Sequence, residues 1–274
     1  MAWIDRWFFS LDFPLRLAVA GLVIVLIAIL AWWKRQLSPS GLIAAIIMGL
    51  ASTMIGGFSS LSLYLFFLLS AAVIGRLSAR ISGLGKIHKK GGRRDWLQVL
   101  ANGGPALAAM FLYHASGDAV FLVVFAASLG EACADTWASE IGVLSGKPPV
   151  SILTFTPVPR GLSGGVSLLG TSASLLCALL YALFSFSLYA APPAHCAIVA
   201  LSAFAGMLAD SFLGATVQAH YYNEEEDLIT EHSRGRDGRK LRLVRGIRFL
   251  DNDMVNLTSN VIAFLLCFCL CCLF

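Results

Sequence analysis

Charge is what this chain has least of: Asp, Glu, Lys and Arg make up 13% of its 274 residues, against 58% hydrophobic residues. With a mean hydropathy of +0.78, that scarcity excludes an ordinary water-soluble domain and a disordered chain alike. The first apolar segment lacks a small-residue cleavage pattern, its flank carries Asp5 and Asp12, and Lys34 and Arg35 follow it, so it is expected to be retained. Four of the seven cysteines, Cys267, Cys269, Cys271 and Cys272, crowd the last apolar segment with no His or acid nearby. They read as small lipid- or helix-facing residues rather than metal ligands or disulfides.

What the chain has instead is apolar length. Eight segments are able to span a bilayer: Leu15–Trp33, Gly41–Ile55, Phe58–Ile74, Leu97–His114, Ala119–Trp137, Val166–Tyr189, Cys196–Leu213 and Val255–Phe274. The second and third are short and are expected to tilt, kink or form a re-entrant hairpin. The expected fold is all-α, a polytopic integral membrane helical bundle forming one domain over residues 1–274. Residues 15–74, almost devoid of polar side chains beyond Ser and Thr, read as scaffold, and residues 97–274 carry the polar positions.

Basic residues orient the bundle. Four loops, around Lys34–Arg35, Arg76–Arg94, Lys147–Arg160 and Arg234–Arg248, hold eighteen of the twenty Lys and Arg, and an even number of spans puts them all on one side. The positive-inside rule makes that side cytoplasmic and both termini non-cytoplasmic. The net charge of +4 therefore reports topology, not nucleic-acid binding. A bacterial plasma membrane is the simplest placement.

Against this background, GEACADTWASEIG (Gly130–Gly142) sets Glu131, Asp135 and Glu140 at the end of an apolar run. An intramembrane acid costs roughly 2.5–3.5 kcal/mol even on the lenient insertion scale, so it marks a functional site by default. Glu131 and Asp135 are spaced i, i+4 and share a helix face, where two acids repel unless a cation or proton lies between them. Glu140 lies about 140° round from Asp135 and joins them only if the helix breaks.

Other motifs gather at the same level. Trp96–Pro105 (WLQVLANGGP) places Gln98 and Asn102 one turn apart, then Gly103, Gly104 and Pro105, a pattern that predicts a kinked or broken helix. Ser82–Asp95 is a Gly-broken basic loop, either an orientation signal that attracts anionic lipid or a polyphosphate clamp. Pro157–Ser167 (PVPRGLSGGVS), which is not a Walker A sequence, is either an anion cradle at a helix N-terminus, with Arg160 and the backbone of Ser163, Gly164 and Gly165, or a tightly packed turn. Gly206–Gln218 sets Asp210, Gly214 and Gln218 on one stripe; Asp210 is a buried helix-to-helix partner or a site residue. Residues 220–250 read as solvated loop with loosely paired charge blocks. Asn252, Asn256 and Asn260 share one face of the last segment, with Asp253 beside it.

Two hairpins echo one another over Leu97–Ile141 and Gly161–Val217: each has a Gly-Gly near its start and an Ala-Asp-Thr/Ser near its end. A parallel repeat about an axis along the membrane normal would bring both corners together. Asp135 and Asp210, with Glu131 or Asp253, would then hold Mg²⁺, which binds one or two carboxylates plus phosphates, while Arg160 and free N–H groups meet the anion. Such a set suits phosphoryl transfer, which is mostly positioning and charge stabilisation. A transporter would use similar broken helices and acids, but with polar groups near the midplane and on both exits.

The runs RRDWLQVLANGGP, ADTWASEIG, PRGLSGGVSLLG, GMLADSFLGATVQ and FLDNDMVNLTSN, in that order, resemble the domain of unknown function 92 family, whose members include transmembrane protein 19 and the phytyl-phosphate kinases of vitamin E synthesis. The likeness covers essentially Gly41 to the C-terminus. It implies transfer of a phosphoryl group from CTP or another nucleoside triphosphate to a prenyl or phytyl monophosphate in the bilayer, giving the diphosphate. A distant similarity of the Asp-Thr/Ser corners to polyprenol kinases and phosphatidate cytidylyltransferases makes nucleotidyl transfer the rival chemistry. On this reading Asp135 and Asp210 ligate metal, and Glu131 and Asp253 are further ligands of the metal or its waters. Asn102, Gly103, Gly104, Arg160, Ser163, Gly164, Gly165 and Asn256 contact nucleotide or phosphate.

Overall fold

The computed structural model describes residues 2–78, 93–189, 191–235 and 237–273. All of the basic loop Ser82–Asp95 except residues 93–95 lies outside them. The chain opens with a short helix, α1 (Trp3–Ser10), which exposes Trp3 and Trp7 and buries Asp5 and Phe8, as a helix lying in a membrane interface would. α2 (Phe13–Trp33) follows, capped by Asp12, whose carboxylate accepts from the Leu15 N–H at 2.9 Å.

The second and third apolar segments form α3 (Pro39–Ser78), which turns back on itself at Gly57 (φ 72°, ψ −167°). The Ser52 and Tyr64 hydroxyls meet at 3.2 Å and the Ser60 hydroxyl donates to the Ser52 carbonyl at 2.8 Å. In a straight helix these pairs would be about 18 and 12 Å apart, so the chain reverses. A left-handed φ favours glycine here. Asp5 seals the turn, its Oδ1 accepting from the Ser59 N–H at 3.0 Å and its Oδ2 from the Ser59 hydroxyl. The halves, residues 39–56 and 58–78, are roughly 27 and 31 Å long, enough for two crossings instead of a shallow re-entrant loop.

α4 (Trp96–Ser116) is one continuous helix with Pro105 inside it, so the glycines and the proline do not break it. α5 (Val120–Gly142), α6 (Leu168–Tyr189), α7 (Pro193–Thr216) and α8 (Asn252–Leu273) complete the bundle. Among the described residues six helices have the length and hydropathy to span a membrane. Counting both halves of α3 and adding α4, whose polar first turns dilute its hydropathy, gives eight crossings.

α5 is the axis. Val123 to Ala134 are buried without interruption, and α5 packs on α3, α4, α6, α7 and α8. Its small residues allow this, because without a hydrophobic drive between helices association depends on close packing. A Cβ at Gly130 would lie 3.2 Å from Ala203 on α7 and 3.3 Å from Tyr181 on α6.

The loops bearing Lys34, Arg94, Lys147, Arg160 and the 234–248 run share one end of the bundle, the basic end. There β1 (Val150–Ser151) pairs with β2 (Gly165–Val166). Residues 220–250 are not the solvated loop expected: β3 (His220–Asn223), β4 (Leu228–Thr230) and β5 (Arg242–Arg245) form an antiparallel sheet in the order β4-β3-β5. His220, Tyr221, Asn223, Thr230 and Glu231 are buried in this cap.

Candidate functional site

A cavity of about 560 Å³ opens at the basic end between α4, α5, α7, α8 and the segment preceding α6. Its size is that of a small-ligand site. Asp135 and Asp210 both line it, as do Asn102, Arg160, Ser163, Gly164, Gly165 and Asn256. The five motifs thus converge although their members in the cavity lie up to 162 residues apart, from Arg94 to Asn256.

The acids are carried by α5 and α7 and held by α8. The Ser259 hydroxyl is 2.8 Å from Glu131 Oε1 and 3.2 Å from Asp210 Oδ2. The Asn260 amide donates to Glu131 Oε2 and the Ser128 carbonyl, each at 2.9 Å, and to the Asn102 carbonyl at 3.4 Å. Asn256 lies 3.3 Å from Asn102 Oδ1 and, with its amide turned so that nitrogen faces α7, donates to Asp210 Oδ2 at 3.2 Å. The Asn face of α8 is therefore a strip of donors aimed at the acids of two neighbouring helices, which is how polar groups at that depth are satisfied.

Glu131 does not line the cavity. It is 2% exposed, sits halfway along α5 and packs against Gly206, where a Cβ would come within 2.5 Å of its Cγ. Its oxygens are taken by Ser259 and Asn260, and it shares the Ser259 hydroxyl with Asp210. Asp253 is buried in the first turn of α8, also outside the cavity lining. Among the described residues no group of three or more His, Cys, Asp or Glu could hold a metal ion. Asp135 and Asp210 remain as a carboxylate pair facing the cavity, a donor set that fits Mg²⁺ when phosphate oxygens and water supply the rest.

The glycines do other work than expected. Gly103 turns toward α3, where a Cβ would strike the Met48 methyl, Gly104 meets nothing, and neither lines the polar cavity. Gly164 and Gly165 precede α6 instead of starting it: the helix begins at Leu168, and Ser167 caps it by accepting from the Gly170 N–H at 3.1 Å. Gly164 (φ 84°) lets the loop touch α7, since a Cβ there would be 2.5 Å from Ala215. The glycine pairs of α4 and of the α6 approach are therefore not equivalent, and the echo between the hairpins rests on Asp135 and Asp210.

Two further charged side chains reach the cavity, and one of them had no clear signal in sequence. Arg94, hidden in a run of basic residues, lines the cavity, its guanidinium 5.1 Å from the Phe67 ring centre. Glu140 also lines it with the helix intact, because the cavity extends round α5 to the end of α3, where the Ser78 hydroxyl donates to Glu140. Arg160 donates to the Gly146 carbonyl at 3.1 Å. Behind Ser163 stands the cap: Glu231 accepts from the Ser163 N–H at 3.3 Å and from its hydroxyl, and Gln218 donates to that hydroxyl at 3.0 Å. In the cap, burial and then the Arg245 guanidinium, 3.2 Å from Nδ1, push the His220 imidazole down to about 4, against the pull of Glu231.

Comparison with known proteins places this architecture. Protein PGR of Arabidopsis thaliana is 30% identical over 272 residues, covering 89% of this chain and 92% of that protein. An uncharacterized membrane protein of Methanocaldococcus jannaschii is 35% identical over 225 residues, 80% of this chain and 92% of its own. Protein VTE6, chloroplastic, of Arabidopsis thaliana is 28% identical over 229 residues, 81% of this chain and 62% of that protein. No solved structure matches. The sequence pattern of the integral membrane protein DUF92 family fits residues 22–264, a span that takes in every residue lining the cavity, and the chain belongs to that family.

Proposed function

We propose that this protein is a membrane phosphotransferase that converts a prenyl or phytyl monophosphate to the diphosphate with CTP or another nucleoside triphosphate and Mg²⁺. The observation that carries the reading is the pairing, across one polar cavity, of two carboxylates, Asp135 and Asp210, with two guanidinium groups, Arg94 and Arg160. The resemblance to a family that includes phytyl-phosphate kinases supports the same chemistry.

A phosphate oxygen of the lipid attacks the γ-phosphorus, the bond from that phosphorus to the β–γ bridging oxygen breaks, and the nucleoside diphosphate leaves. The attacking oxygen is already ionised at neutral pH, so no strong general base is required. Mg²⁺ on Asp135 and Asp210 would supply charge neutralisation for the transferring group. Arg94 and Arg160 meet its equatorial oxygens, and Asn102 and Asn256 fix orientation. By the positive-inside rule the basic end is cytoplasmic, so a lipid in the inner leaflet meets soluble nucleotide there; a bacterial plasma membrane remains the simplest setting, with both termini on the opposite side.

A transporter is favoured by one feature, the mid-helix position of Glu131. Its oxygens are engaged by α8, however, and that supports a structural use.

The test is to incubate purified protein with Mg²⁺, phytyl or geranylgeranyl monophosphate and γ-labelled CTP, beside Asp135→Asn. Labelled prenyl diphosphate, absent from the variant, is the expected result. Label entering lipid only from α-labelled CTP with pyrophosphate release would mean nucleotidyl transfer. No lipid product from folded protein with any nucleotide would overturn the enzyme reading.

A further inference from the structure

A second cavity, apolar and about 120 Å³, lies beside the polar one. Ile24, Ala28 and Ala31 of α2, Gly49 and Leu61 of the α3 hairpin and Gly103 of α4 help to line it. Its walls are closely packed at the glycines: a Cβ at Gly49 would press on Ile24 at 3.2 Å, and one at Gly103 would strike Met48. From Ile24 to the end of α2 at Trp33 is about 14 Å along the helix, so the cavity reaches from the basic end well into the apolar part of the bundle.

The two cavities share three side chains, Arg94, Gln98 and Asn102. At that junction one cation and two amides face polar space on one side and hydrocarbon on the other. Arg94 is fixed there by its backbone, its N–H donating to the Gln36 carbonyl and its carbonyl accepting from the Ser38 N–H, each at 2.9 Å, and by its guanidinium lying against Phe67.

We propose that the apolar cavity holds the proximal hydrocarbon of the lipid monophosphate, with its phosphate at Arg94, Gln98 and Asn102 and one oxygen directed into the polar cavity. The assignment of the phosphate rests on the phosphotransferase reading. An amphiphile with one anionic head matches a chamber that is apolar except at its single charged mouth; a nucleotide or free phosphate has nothing with which to fill it. A chain arriving from the bilayer gains little hydrophobic free energy, because lipid tails are as apolar as the cavity. Selection among lipids therefore follows from shape, and α2 with the α3 hairpin, read from sequence as scaffold, becomes the specificity element.

The experiment is photolabelling of the purified full chain, without nucleotide, by a prenyl monophosphate carrying a diazirine on its first isoprene unit, followed by peptide mapping. Label is expected on α2 or the α3 hairpin, competed by unlabelled prenyl monophosphate more strongly than by the prenyl alcohol. Ala28→Phe, which fills the cavity, is expected to cut labelling roughly ten-fold, within the range of overpacking costs, while Val25→Phe on the exposed face of α2 leaves it unchanged. Label confined to α5–α8 in the wild-type chain, labelling indifferent to Ala28→Phe, or equal competition by the alcohol would overturn the proposal. Labelling requires no phosphoryl transfer, so a protein labelled on α2 or α3 that makes no diphosphate overturns the enzyme reading and leaves the hydrocarbon site standing.

Discussion

Asn260 on α8 donates to Glu131 Oε2 on α5 at 2.9 Å, across 129 residues of sequence. The same amide nitrogen also reaches the Ser128 and Asn102 carbonyls, so one side chain ties the last helix to α4 and α5. Asn260→Leu removes these donors and leaves buried acceptors unpaired, at about 1–3 kcal/mol per orphaned group. A clear fall in the unfolding midpoint in detergent is expected, with no change in which lipid is used.

Glu131 lies outside the cavity lining with its oxygens held by Ser259 and Asn260, and conservative substitution separates a supporting role from a ligand's. Glu131→Gln keeps an oxygen for Asn260 and an amide that can donate to Ser259, so phosphoryl transfer should stay within about ten-fold of wild type. Asp135→Asn and Asp210→Asn, which face the cavity, should each cost on the order of 10²-fold or more in kcat, as losses of transition-state electrostatics do. Equal losses in all three, measured on folded protein, would place Glu131 in the site.

Gly164 joins the loop before α6 to α7. Gly164→Ala puts a methyl 2.5 Å from Ala215 at a left-handed φ, at a cost of about 1–3 kcal/mol for the backbone alone. The loop with Arg160 and Ser163 must shift, so activity should fall at least ten-fold while the helical content seen by circular dichroism holds.

His220 gives the cap a pH dependence. Unfolded, the imidazole takes a proton near pH 6.5; folded, only near pH 4. Its contribution to stability is therefore complete above pH 6.5 and is lost between pH 6.5 and 4, on the order of 3 kcal/mol at most. Protection of β3 amides from hydrogen exchange should drop across that window in wild type, and less so in His220→Gln.

At the opposite end, Asp5→Ala uncaps the second half of the α3 hairpin. The loss should be about 1–2 kcal/mol, read as a lower unfolding midpoint, with turnover of the remaining folded protein unchanged because Asp5 is remote from the basic end.

Much of this protein was legible in its sequence because its strongest signals are local. Apolar length set the helices, basic residues set which loops share an end, and the acids of Gly130–Gly142 and Gly206–Gln218 announced themselves because charge is so costly in that setting. Gly57 was less legible: a glycine between two short runs fits a kink or a hairpin equally, and the contacts across it, Ser52 with Tyr64 and Asp5 with Ser59, decide for the hairpin. The cap was misread because charge blocks flank its short strands, and β3, buried at three of its four positions, lacks the alternation that marks a strand.

Composition and periodicity by themselves determined an all-helical membrane bundle with a polar, acid-bearing basic end, since burying a helix or a charge in lipid is governed by residue type. Tertiary structure alone decided which polar groups face the cavity. It turned Gly103 to α3, withdrew Glu131 from the cavity lining, brought Arg94 and Glu140 in, and set an apolar chamber of α2–α4 against the polar one, because contacts between distant helices depend on rotation and close approach that no local pattern encodes.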